Sequence, residues 1–425
     1  MLSRRQFTGS LLTAATLSAQ QATRRPPNVL VVMSDQESGL LPGPANLPNR
    51  EKLLDGATQF THAYCNTPQC SASRATLLTG LAPHRTGVLT NVDGSSLGKP
   101  LPESLPNVGN VFQLANYQTG YFGKWHLGGN DLMKYGFATA SPSGADDAIA
   151  IRARNWIREQ TKPWLAWVSF LNPHDIYEIP RVLSKVTPRA GVKPPESSLA
   201  DLQDKPIEQQ EYVDKDQGEI TKNFSAEDWV KYRSYYLELV EKVDEHLGTL
   251  LSAVEDLDST IVVYTSDHGD SLGEHGLPFK GPYMYEELIR VPLIIRAPGR
   301  MKAQVRNDLV TLENVAPTLA SLAGIKWPGE TTGRSLAASS KIDTAFLEYY
   351  AKQKWVNPIR TIRTQRWKFN WYDRGNRELY DLNADPNETR NLAGKAPTIQ
   401  STLEKRLTAW RGPLLDKEAE SKPDA

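Results

Sequence analysis

The sequence predicts an α/β fold in which helices cover both faces of a large, mixed, mostly parallel β-sheet. The first reason is that residues 28–33 and 260–265 are continuous apolar, β-branched runs, which are typical of strands buried on both faces. The second is that such runs alternate with amphipathic helical stretches, as they do in parallel sheets. From about Thr344 the pattern changes to short alternating strands and one helix. This predicts a small C-terminal antiparallel sheet with a helix.

The predicted elements follow one another along the chain in the order that this fold requires. Apolar runs predict strands of the main sheet at 28–33, 121–123, 164–171, 260–265 and 291–296. Helical periodicity predicts helices at 49–55, 72–79, 105–120, 146–160, 226–254 and 314–323. The C-terminal part is predicted to contain strands at 345–349, 360–370 and 378–382, a helix at 398–411 and a disordered tail at 416–425. Residues 181–224 show little periodicity, which predicts a long surface excursion.

Composition and charge exclude several classes of protein. The chain has 425 residues, enough for one large domain and a smaller one, and its 49 basic residues balance 49 acidic residues. A nucleic-acid-binding protein usually carries a basic excess, so no nucleic-acid partner is expected. No apolar run approaches the ~20 residues that span a bilayer, so no membrane span is expected.

The N-terminus has the pattern of a bacterial export signal. Residues 3–7 form a twin-arginine pattern, a mildly apolar stretch follows, and small residues stand at 18, 19 and 22. The alternative is a disordered basic N-terminus. We therefore predict a signal peptide at 1–22 and export to the periplasm or beyond. The predicted mature chain has a main α/β domain at 23–343 and a C-terminal α+β subdomain at 344–425.

Cys70 lies in a polar run just before a predicted helix. Unpaired N–H groups at a helix N-terminus lower the pKa of a thiol and bind anions. Arg74 lies one helical turn further on, on the same face as residue 70. One interpretation is a nucleophile beside a fixed positive charge. The alternatives are a buried structural cysteine or a disulfide with Cys65, the only other cysteine in the chain.

Polar side chains follow several predicted strands and short loops. In open α/β sheets, groups at the carboxyl ends of the strands form the functional site. The candidates are Asp35, Gln36, Lys124, His126, His174, Asp267, His268 and, in a later loop, Lys280.

The chemistry of these residues is coherent. Oxygen atoms of Asp35, Gln36 and Asp267 suit Ca²⁺ or Mg²⁺, and a mixed site tolerates the softer nitrogen donor of His268. Lysine and arginine side chains provide fixed positive charges for a tetrahedral oxyanion. The imidazole side chain suits proton transfer near neutral pH, so His126 and His174 are the candidate proton-transfer groups.

Several motifs together resemble those of the type I sulfatases, within the alkaline-phosphatase-like superfamily. The resemblance covers almost the whole chain that follows the predicted signal. The motifs are CSASR followed by LTG within 70–80, GKWHLG at 123–128, NPHD at 172–175, TSDHGD at 265–270 and ELYDL at 378–382.

The resemblance implies a sulfate ester hydrolase in which a formylglycine-generating enzyme oxidises Cys70 to formylglycine. It implies one divalent ion, usually Ca²⁺, held by Asp35, Gln36, Asp267, His268 and an oxygen of residue 70. The implied roles of the other residues fall into three groups. Arg74 and Lys124 hold the nucleophile, His174 and Lys280 bind the sulfate and help protonate the leaving oxygen, and His126 takes a proton from the hydrated aldehyde so that the sulfate ester collapses.

Two positions depart from the commonest family pattern. Gln36 replaces a frequent second aspartate, and Ala72 replaces the usual proline of the modification motif. The Asp-Gln pair resembles choline-sulfatase-like and phosphonate-monoesterase-like branches. The sequence therefore predicts an exported sulfatase for a sulfated small molecule or glycan, most specifically a sulfated carbohydrate. The alternatives are a phosphonate monoester or phosphodiester hydrolase and a non-catalytic binding protein. Asp175, Asp270 and His275 are open between substrate contacts and hydrogen-bonded loop residues.

Overall fold

The structure is a computed structural model, and it describes residues 25–92, 98–338, 340–352 and 355–411. The predicted signal peptide at 1–22 and the predicted disordered tail at 416–425 lie outside these described residues. Within them, no helix is long and apolar enough to cross a bilayer.

The main sheet has nine strands, which pair in the order β4-β3-β5-β1-β6-β8-β2-β7, with β9 also beside β2. Strands β4, β3, β5, β1 and β6 are mutually parallel, whereas β8 is antiparallel to both β6 and β2. This confirms the predicted mixed, mostly parallel sheet. The strands are β1 (Asn28–Asp35), β2 (Thr58–Tyr64), β3 (Gln118–Gly123), β4 (Thr139–Ser141), β5 (Trp164–Pro173), β6 (Thr260–Ser266), β7 (Arg290–Val291), β8 (Leu293–Arg296) and β9 (Gln304–Thr311).

Helices cover both faces of this sheet because its strands are apolar on both sides. In β1, Val29, Val31 and Met33 join one buried cluster, and Leu30 and Val32 join a second cluster on the opposite face. Helices α2, α4 and α10 pack in the first cluster, and α1, α5 and α8 pack in the second. The helices are α1 (Pro48–Leu54), α2 (Cys70–Thr79), α3 (Pro83–Thr86), α4 (Val108–Leu114), α5 (Asp146–Arg158), α6 (Ile179–Val182), α7 (Ile207–Lys215), α8 (Ala226–Leu251), α9 (Glu286–Ile289), α10 (Val315–Ala323) and α11 (Pro397–Arg411).

The C-terminal part forms a second sheet, antiparallel and four-stranded, with strands β10 (Thr344–Lys352), β11 (Trp355–Thr364), β12 (Trp367–Tyr372) and β13 (Arg377–Asp381). Leu403 and Leu407 of α11 pack on it. Buried Lys368 of β12 forms ion pairs with Glu286 of the main body at 3.3 Å and with Glu388 at 2.5 Å. The small antiparallel sheet with a helix is confirmed, whereas the domain division at 343/344 stays a prediction.

Several element predictions differ from the structure. The helix predicted at 105–120 ends at Leu114, and β3 begins at Gln118, because Asn116 adopts a left-handed conformation (φ 62°) that ends the helix. The strand predicted at 360–370 is two strands joined by a tight turn. The strand predicted at 291–296 is two short strands, β7 and β8. Strands β2, β4 and β9 were not predicted, because exposed or half-exposed residues interrupt their apolar pattern.

The prediction of a surface excursion at 181–224 is wrong for its second half. Helix α7 lies there and buries Gln209 and Tyr212 completely. Gln209 Nε2 donates to Glu378 of β13 at 2.9 Å, and the Tyr212 hydroxyl donates to the carbonyl of Pro278 at 2.9 Å. The segment therefore packs between the C-terminal sheet and the loop after β6. Its periodicity is weak because its helices are short.

Candidate active site

The candidate residues meet because four neighbouring strands end at one edge of the main sheet. Strands β3, β5, β1 and β6 are adjacent and parallel, so their carboxyl ends coincide. Asp35 ends β1, and Lys124, His174 and Asp267 immediately follow β3, β5 and β6. The first residue of α2, Cys70, faces this edge. The structure thus places these groups at one edge of the sheet.

A metal-capable group forms the centre of the site, and we call it the cation cluster: Asp35, Cys70, Asp267 and His268. Their ligand atoms lie within 4.8 Å of one another, and all four side chains are buried. His268 places Nδ1 2.9 Å from the carbonyl of Gly269, so Nδ1 carries the proton and Nε2 faces the cluster. Two carboxylates and an imidazole nitrogen fit a divalent ion.

Gly269 lets the loop after β6 approach the backbone of helix α9 closely. Its N–H donates to the carbonyl of Leu288 at 2.8 Å, and a Cβ at this position would lie 2.1 Å from the carbonyl oxygen of Glu287. Only glycine therefore fits at position 269 against the backbone of α9.

Arg74 binds both carboxylates of the cation cluster. Its guanidinium donates to Asp35 Oδ2 at 2.6 Å and to Asp267 Oδ2 at 2.9 Å. It also donates to the carbonyl of Lys124 at 2.6 Å and to Ser169 Oγ at 2.7 Å. This buried fork fixes α2 against the ends of β1, β3, β5 and β6.

Two lysines flank Cys70. Lys280 Nζ lies 2.8 Å from Sγ, and Lys124 Nζ lies 3.8 Å from Sγ and 2.7 Å from Asp35 Oδ2. Burial and Asp35 disfavour a thiolate, but Lys124, Lys280 and His268 outweigh them and hold the pKa of Cys70 well below its ordinary value. Residue 70 therefore lies in a pocket that stabilises negative charge.

The two carboxylates differ in their electrostatic surroundings. Burial opposes ionisation of Asp35, yet Lys124 and Arg74 hold the pKa of this carboxyl well below its ordinary range. Burial and the charge of Asp35 raise the pKa of Asp267. Burial and Lys280 oppose a charge on His268, but Asp267 and Cys70 outweigh them and raise its pKa. A bound cation would relieve the repulsion between the two carboxylates.

The other two candidate histidines, His174 and His126, lie at different positions around the cation cluster. Asp146, the first residue of α5, accepts hydrogen bonds from the backbone of Leu171 and Asn172 and thereby fixes the turn that carries His174. Burial, against the opposing charge of Asp35, lowers the pKa of His174 to about 3, so this imidazole is neutral at pH 7. The carbonyl of His126 accepts from Ser71 Oγ at 2.5 Å, which ties it to the start of α2.

Gly123 permits the close approach of β3 and β5 that positions Lys124. The Lys124 N–H donates to the carbonyl of Ser169 at 3.0 Å. A Cβ at Gly123, where φ is 98°, would lie only 1.9 Å from that same carbonyl oxygen.

The structure excludes the disulfide alternative and shows where the three open residues lie. The disulfide is wrong, because Cys65 and Cys70 are both free. Asp270 is fully buried and hydrogen-bonded within the protein, and His275 is buried and stacks on Tyr285 at 4.0 Å. Asp175 is half-buried, and burial with Asp146 raises its pKa.

Sequence reasoning did not find the groups that orient the site. Ser169 lies inside an apolar strand, and Tyr232 and Tyr236 lie on the buried face of α8. Each of them contacts the site through a hydrogen bond that depends on tertiary packing, so no local pattern marks it. Tyr177, which stacks on Phe279 at 4.1 Å beside His174, was missed for the same reason.

A buried thiol among fixed cations, beside side chains able to bind a divalent ion, resembles the arrangements that hydrolases use to cleave anionic esters. The chain belongs to the sulfatase family: the Sulfatase family model matches residues 27–325. The model of the N-sulphoglucosamine sulphohydrolase C-terminal region matches residues 273–412. The chain is thus a sulfuric ester hydrolase, and the family resemblance is confirmed.

Relatives cover nearly the whole chain. It is 30% identical to choline-sulfatase of Rhizobium meliloti, over 91% of this chain and 85% of that protein. It is 27% identical to Delta 4,5-hexuronate-2-O-sulfatase of Bacteroides thetaiotaomicron, over 93% and 89%. Phosphonate monoester hydrolase of Agrobacterium radiobacter has the same fold, with a TM-score of 0.77 at 22% identity over 91% of this chain and 95% of that one.

Proposed function

We propose that the protein releases sulfate from a sulfated carbohydrate, with residue 70 acting as formylglycine. The observation that carries this proposal is the position of Cys70: Sγ lies 3.2 Å from His268 Nε2 and 2.8 Å from Lys280 Nζ, within the cation cluster. An oxygen on the same carbon would lie where it can bind the cation and act as the nucleophile. The neighbouring cationic side chains would stabilise its negative charge. The carbohydrate is favoured by the hexuronate sulfatase among the relatives.

The proposed modification needs a partner enzyme. A formylglycine-generating enzyme oxidises the Cys70 side chain to an aldehyde, so the residue loses sulfur and two hydrogens and gains one oxygen. The hydrated aldehyde supplies a nucleophilic hydroxyl and a second hydroxyl through which sulfate is later expelled. The twin-arginine route exports proteins that are already folded. In this proposal the modification therefore takes place before transport to the periplasm or the medium.

The proposed cation is Ca²⁺, with Mg²⁺ as the alternative, held by Asp35, Asp267, His268, the Gln36 amide oxygen and residue 70. When bound, such an ion neutralises charge on the sulfate and on the nucleophile. Arg74 keeps both carboxylates turned toward the centre, since it binds one oxygen of each.

The remaining side chains divide the binding of sulfate and the movement of protons. Burial disfavours charge on Lys280, but Cys70 and Asp35 outweigh it and raise its pKa, so the side chain stays an ammonium that binds the sulfate. The same ammonium is the proton donor that we assign to the leaving oxygen. His174 is neutral and acts as an N–H donor to the sulfate. Lys124 stabilises the oxyanion at residue 70, and His126 accepts the proton of the second hydroxyl.

The proposal is tested by sulfate release from a panel of sulfate esters. The panel contains a 2-sulfated unsaturated hexuronate, choline sulfate and nitrophenyl sulfate, with protein whose formylglycine content is measured by mass spectrometry. Turnover of the sulfated sugar well above the other two supports the proposal. A fully modified protein that releases sulfate from none of the three contradicts it.

Hydrolysis of a phosphonate monoester or phosphodiester is a second candidate. The observations that favour it are the fold shared with the Agrobacterium radiobacter enzyme and the presence of Gln36 instead of a second aspartate. An aryl phosphonate and an aryl sulfate compared at the same metal concentration separate the two reactions. A strong preference for the phosphonate would replace the sulfatase proposal. An unmodified Cys70 with no activity would favour the third candidate, a binding protein.

Removal of divalent ions is expected to lower both activity and stability. A chelator should reduce sulfate release by at least about 100-fold. The clustered carboxylates then repel each other, and the nucleophile loses the cation that stabilises its negative charge. Ca²⁺ at 100 times its dissociation constant should restore about 2.7 kcal/mol of stability. Activity assays and thermal unfolding of chelated and reloaded protein measure the two effects. Full activity after complete removal of metal would contradict the proposed cation.

Replacement of His174 by alanine is expected to lower kcat/KM by about 10²- to 10³-fold, because the sulfate loses an N–H donor. His174→Gln keeps a donor and should retain more activity than His174→Ala. The loss should be of similar size for a sugar sulfate and for nitrophenyl sulfate, because both substrates present the same sulfate group to this donor.

A matched control for this substitution is His84→Gln. His84 lies 2.9 Å from Glu348 and packs on Trp410, outside the site. Steady-state kinetics of all variants on both substrates make the comparison. Equal losses at His84 and His174 would show that only stability had changed.

A further inference from the structure

The backbone of Gln36 is held in a conformation that is unusual for its residue type. Its φ is 71°, in the left-handed region where a Cβ is unfavourable. Its N–H donates to Asp267 Oδ1 at 3.1 Å, and its carbonyl accepts from the Tyr236 hydroxyl at 2.9 Å. These bonds fix the direction in which the side chain leaves the backbone.

The Gln36 amide contacts a different group at each end. Its Nε2 donates to Asp270 Oδ2 at 2.8 Å, and its Oε1 accepts from Lys280 Nζ at 3.4 Å. A carboxylate only accepts hydrogen bonds and an ammonium only donates them. Only one of the two amide orientations therefore satisfies both neighbours, and it turns Oε1 toward the cation cluster.

The other contacts of Asp270 explain why this carboxylate does not itself join the cation cluster. Its Oδ1 accepts from the N–H of Leu272 at 2.8 Å and from the Tyr232 hydroxyl at 2.9 Å. The Tyr232 oxygen accepts from the N–H of Phe279 at 3.2 Å, so its own proton is directed at Asp270. The second oxygen, Oδ2, lies 3.0 Å from the same hydroxyl and accepts from Gln36 Nε2.

We propose that Asp270 is a positioning residue that keeps the amide oxygen of Gln36 turned toward the divalent ion. The proposal rests on the proposed function, since the ion belongs to it. Gln36 and Asp270 together carry one negative charge, and that charge lies on Asp270, which is not itself a ligand of the ion. A site that has glutamine where a second aspartate is frequent thus keeps an oxygen ligand, and the neighbouring carboxylate fixes which end of the amide is presented.

An isosteric exchange tests this arrangement. In Asp270→Asn the new amide can donate to Gln36, so Gln36 is free to turn its nitrogen toward the ion. Ca²⁺ affinity, measured by calorimetry on chelator-stripped protein, should fall about 10- to 100-fold. In the double variant Gln36→Glu/Asp270→Asn, the new amide at position 270 donates to the new carboxylate at position 36, and that carboxylate presents an oxygen to the ion. Affinity should return to within about threefold of the wild type.

Gln36→Glu alone and Asp244→Asn are the controls. The first places two carboxylates in contact, so they compete for a proton and its Ca²⁺ affinity should depend on pH more steeply than that of the double variant. Asp244 is a buried carboxylate that accepts from the backbone of Asn49 and Arg50, away from the cation cluster. Its replacement should lower the melting temperature and leave Ca²⁺ affinity unchanged.

The outcomes separate this proposal from the proposed function. Wild-type protein that binds neither Ca²⁺ nor Mg²⁺ would overturn the proposed cation, and the positioning role with it. Wild-type binding with unchanged affinity in Asp270→Asn would overturn the positioning role alone. If Asp270→Asn does not fold, the double variant decides, because it restores every hydrogen bond of the pair. A double variant that is unfolded, or folded without affinity, overturns the proposal.

Discussion

Replacement of Cys70 by alanine is expected to reduce sulfate release by at least about 10⁴-fold, because it removes the side chain that provides the nucleophile. The fold should persist, since Cys70 begins a helix whose other residues pack without it. Sulfate is measured by ion chromatography, and the tryptic peptide 53–74 of the wild type is analysed by mass spectrometry. Formylglycine appears there as a residue that has lost sulfur and two hydrogens and gained an oxygen.

Cys65→Ala is the matched control for this variant. Cys65 is also buried and free, but burial raises its pKa well above the ordinary value, and its thiol is not part of the cation cluster. Cys65→Ala should keep activity within about threefold of the wild type and lose only about 1 kcal/mol of stability. Sulfate release by wild-type protein without formylglycine would contradict the proposed modification. The nucleophile would then be the Cys70 thiolate, since the pKa of this thiol is already low.

The position of the site was predictable from the sequence because the central strands are apolar on both faces. The runs at 28–33 and 260–265 identify β1 and β6 as interior strands, and interior parallel strands end at the same edge. Asp35 and Asp267 then had to be neighbours. They are more than 200 residues apart along the chain, but the pairing of β1 with β6 brings them side by side.

The groups that orient the site were not predictable, because their partners come from distant elements. Asp270 holds Gln36 with the help of Tyr232 on α8, and Ser169 reaches Arg74 from inside β5. None of these contacts produces a periodicity or a motif. Strand β2 was missed for another physical reason: its half-exposed residues give the sequence no continuous apolar run.

Replacement of Arg74 by methionine is expected to be the most destabilising single change in the site. The guanidinium forms ion pairs with Asp35 at 2.6 Å and with Asp267 at 2.9 Å, and all three side chains are buried. Without it, two carboxylates face each other in the interior. Breaking a buried ion pair by removing one partner costs about 3–5 kcal/mol at pH 7. Urea unfolding of the chelated protein measures the loss.

The destabilisation should depend on pH in one direction. Asp35 has a lowered pKa in the folded wild type, so it contributes stability above its unfolded pKa, and that stability is lost as pH falls through the lower folded pKa. Without Arg74 the pKa of Asp35 rises, and the carboxyl becomes neutral at a higher pH. The difference between wild type and Arg74→Met should therefore be largest at neutral pH and shrink below about pH 4.

Arg366→Met provides the comparison that separates burial from pairing. Arg366 binds both oxygens of a single carboxylate, Asp381, at 2.9 and 2.5 Å, and its own side chain is 56% exposed, whereas the Arg74 side chain is buried. Water and salt screen this pair, so its loss should leave the unfolding midpoint nearly unchanged at every pH. Similar losses for the two arginines, or a loss at Arg74 that does not shrink in acid, would contradict the electrostatic argument. In that case Arg74 would stabilise the site through packing rather than through the charges of Asp35 and Asp267.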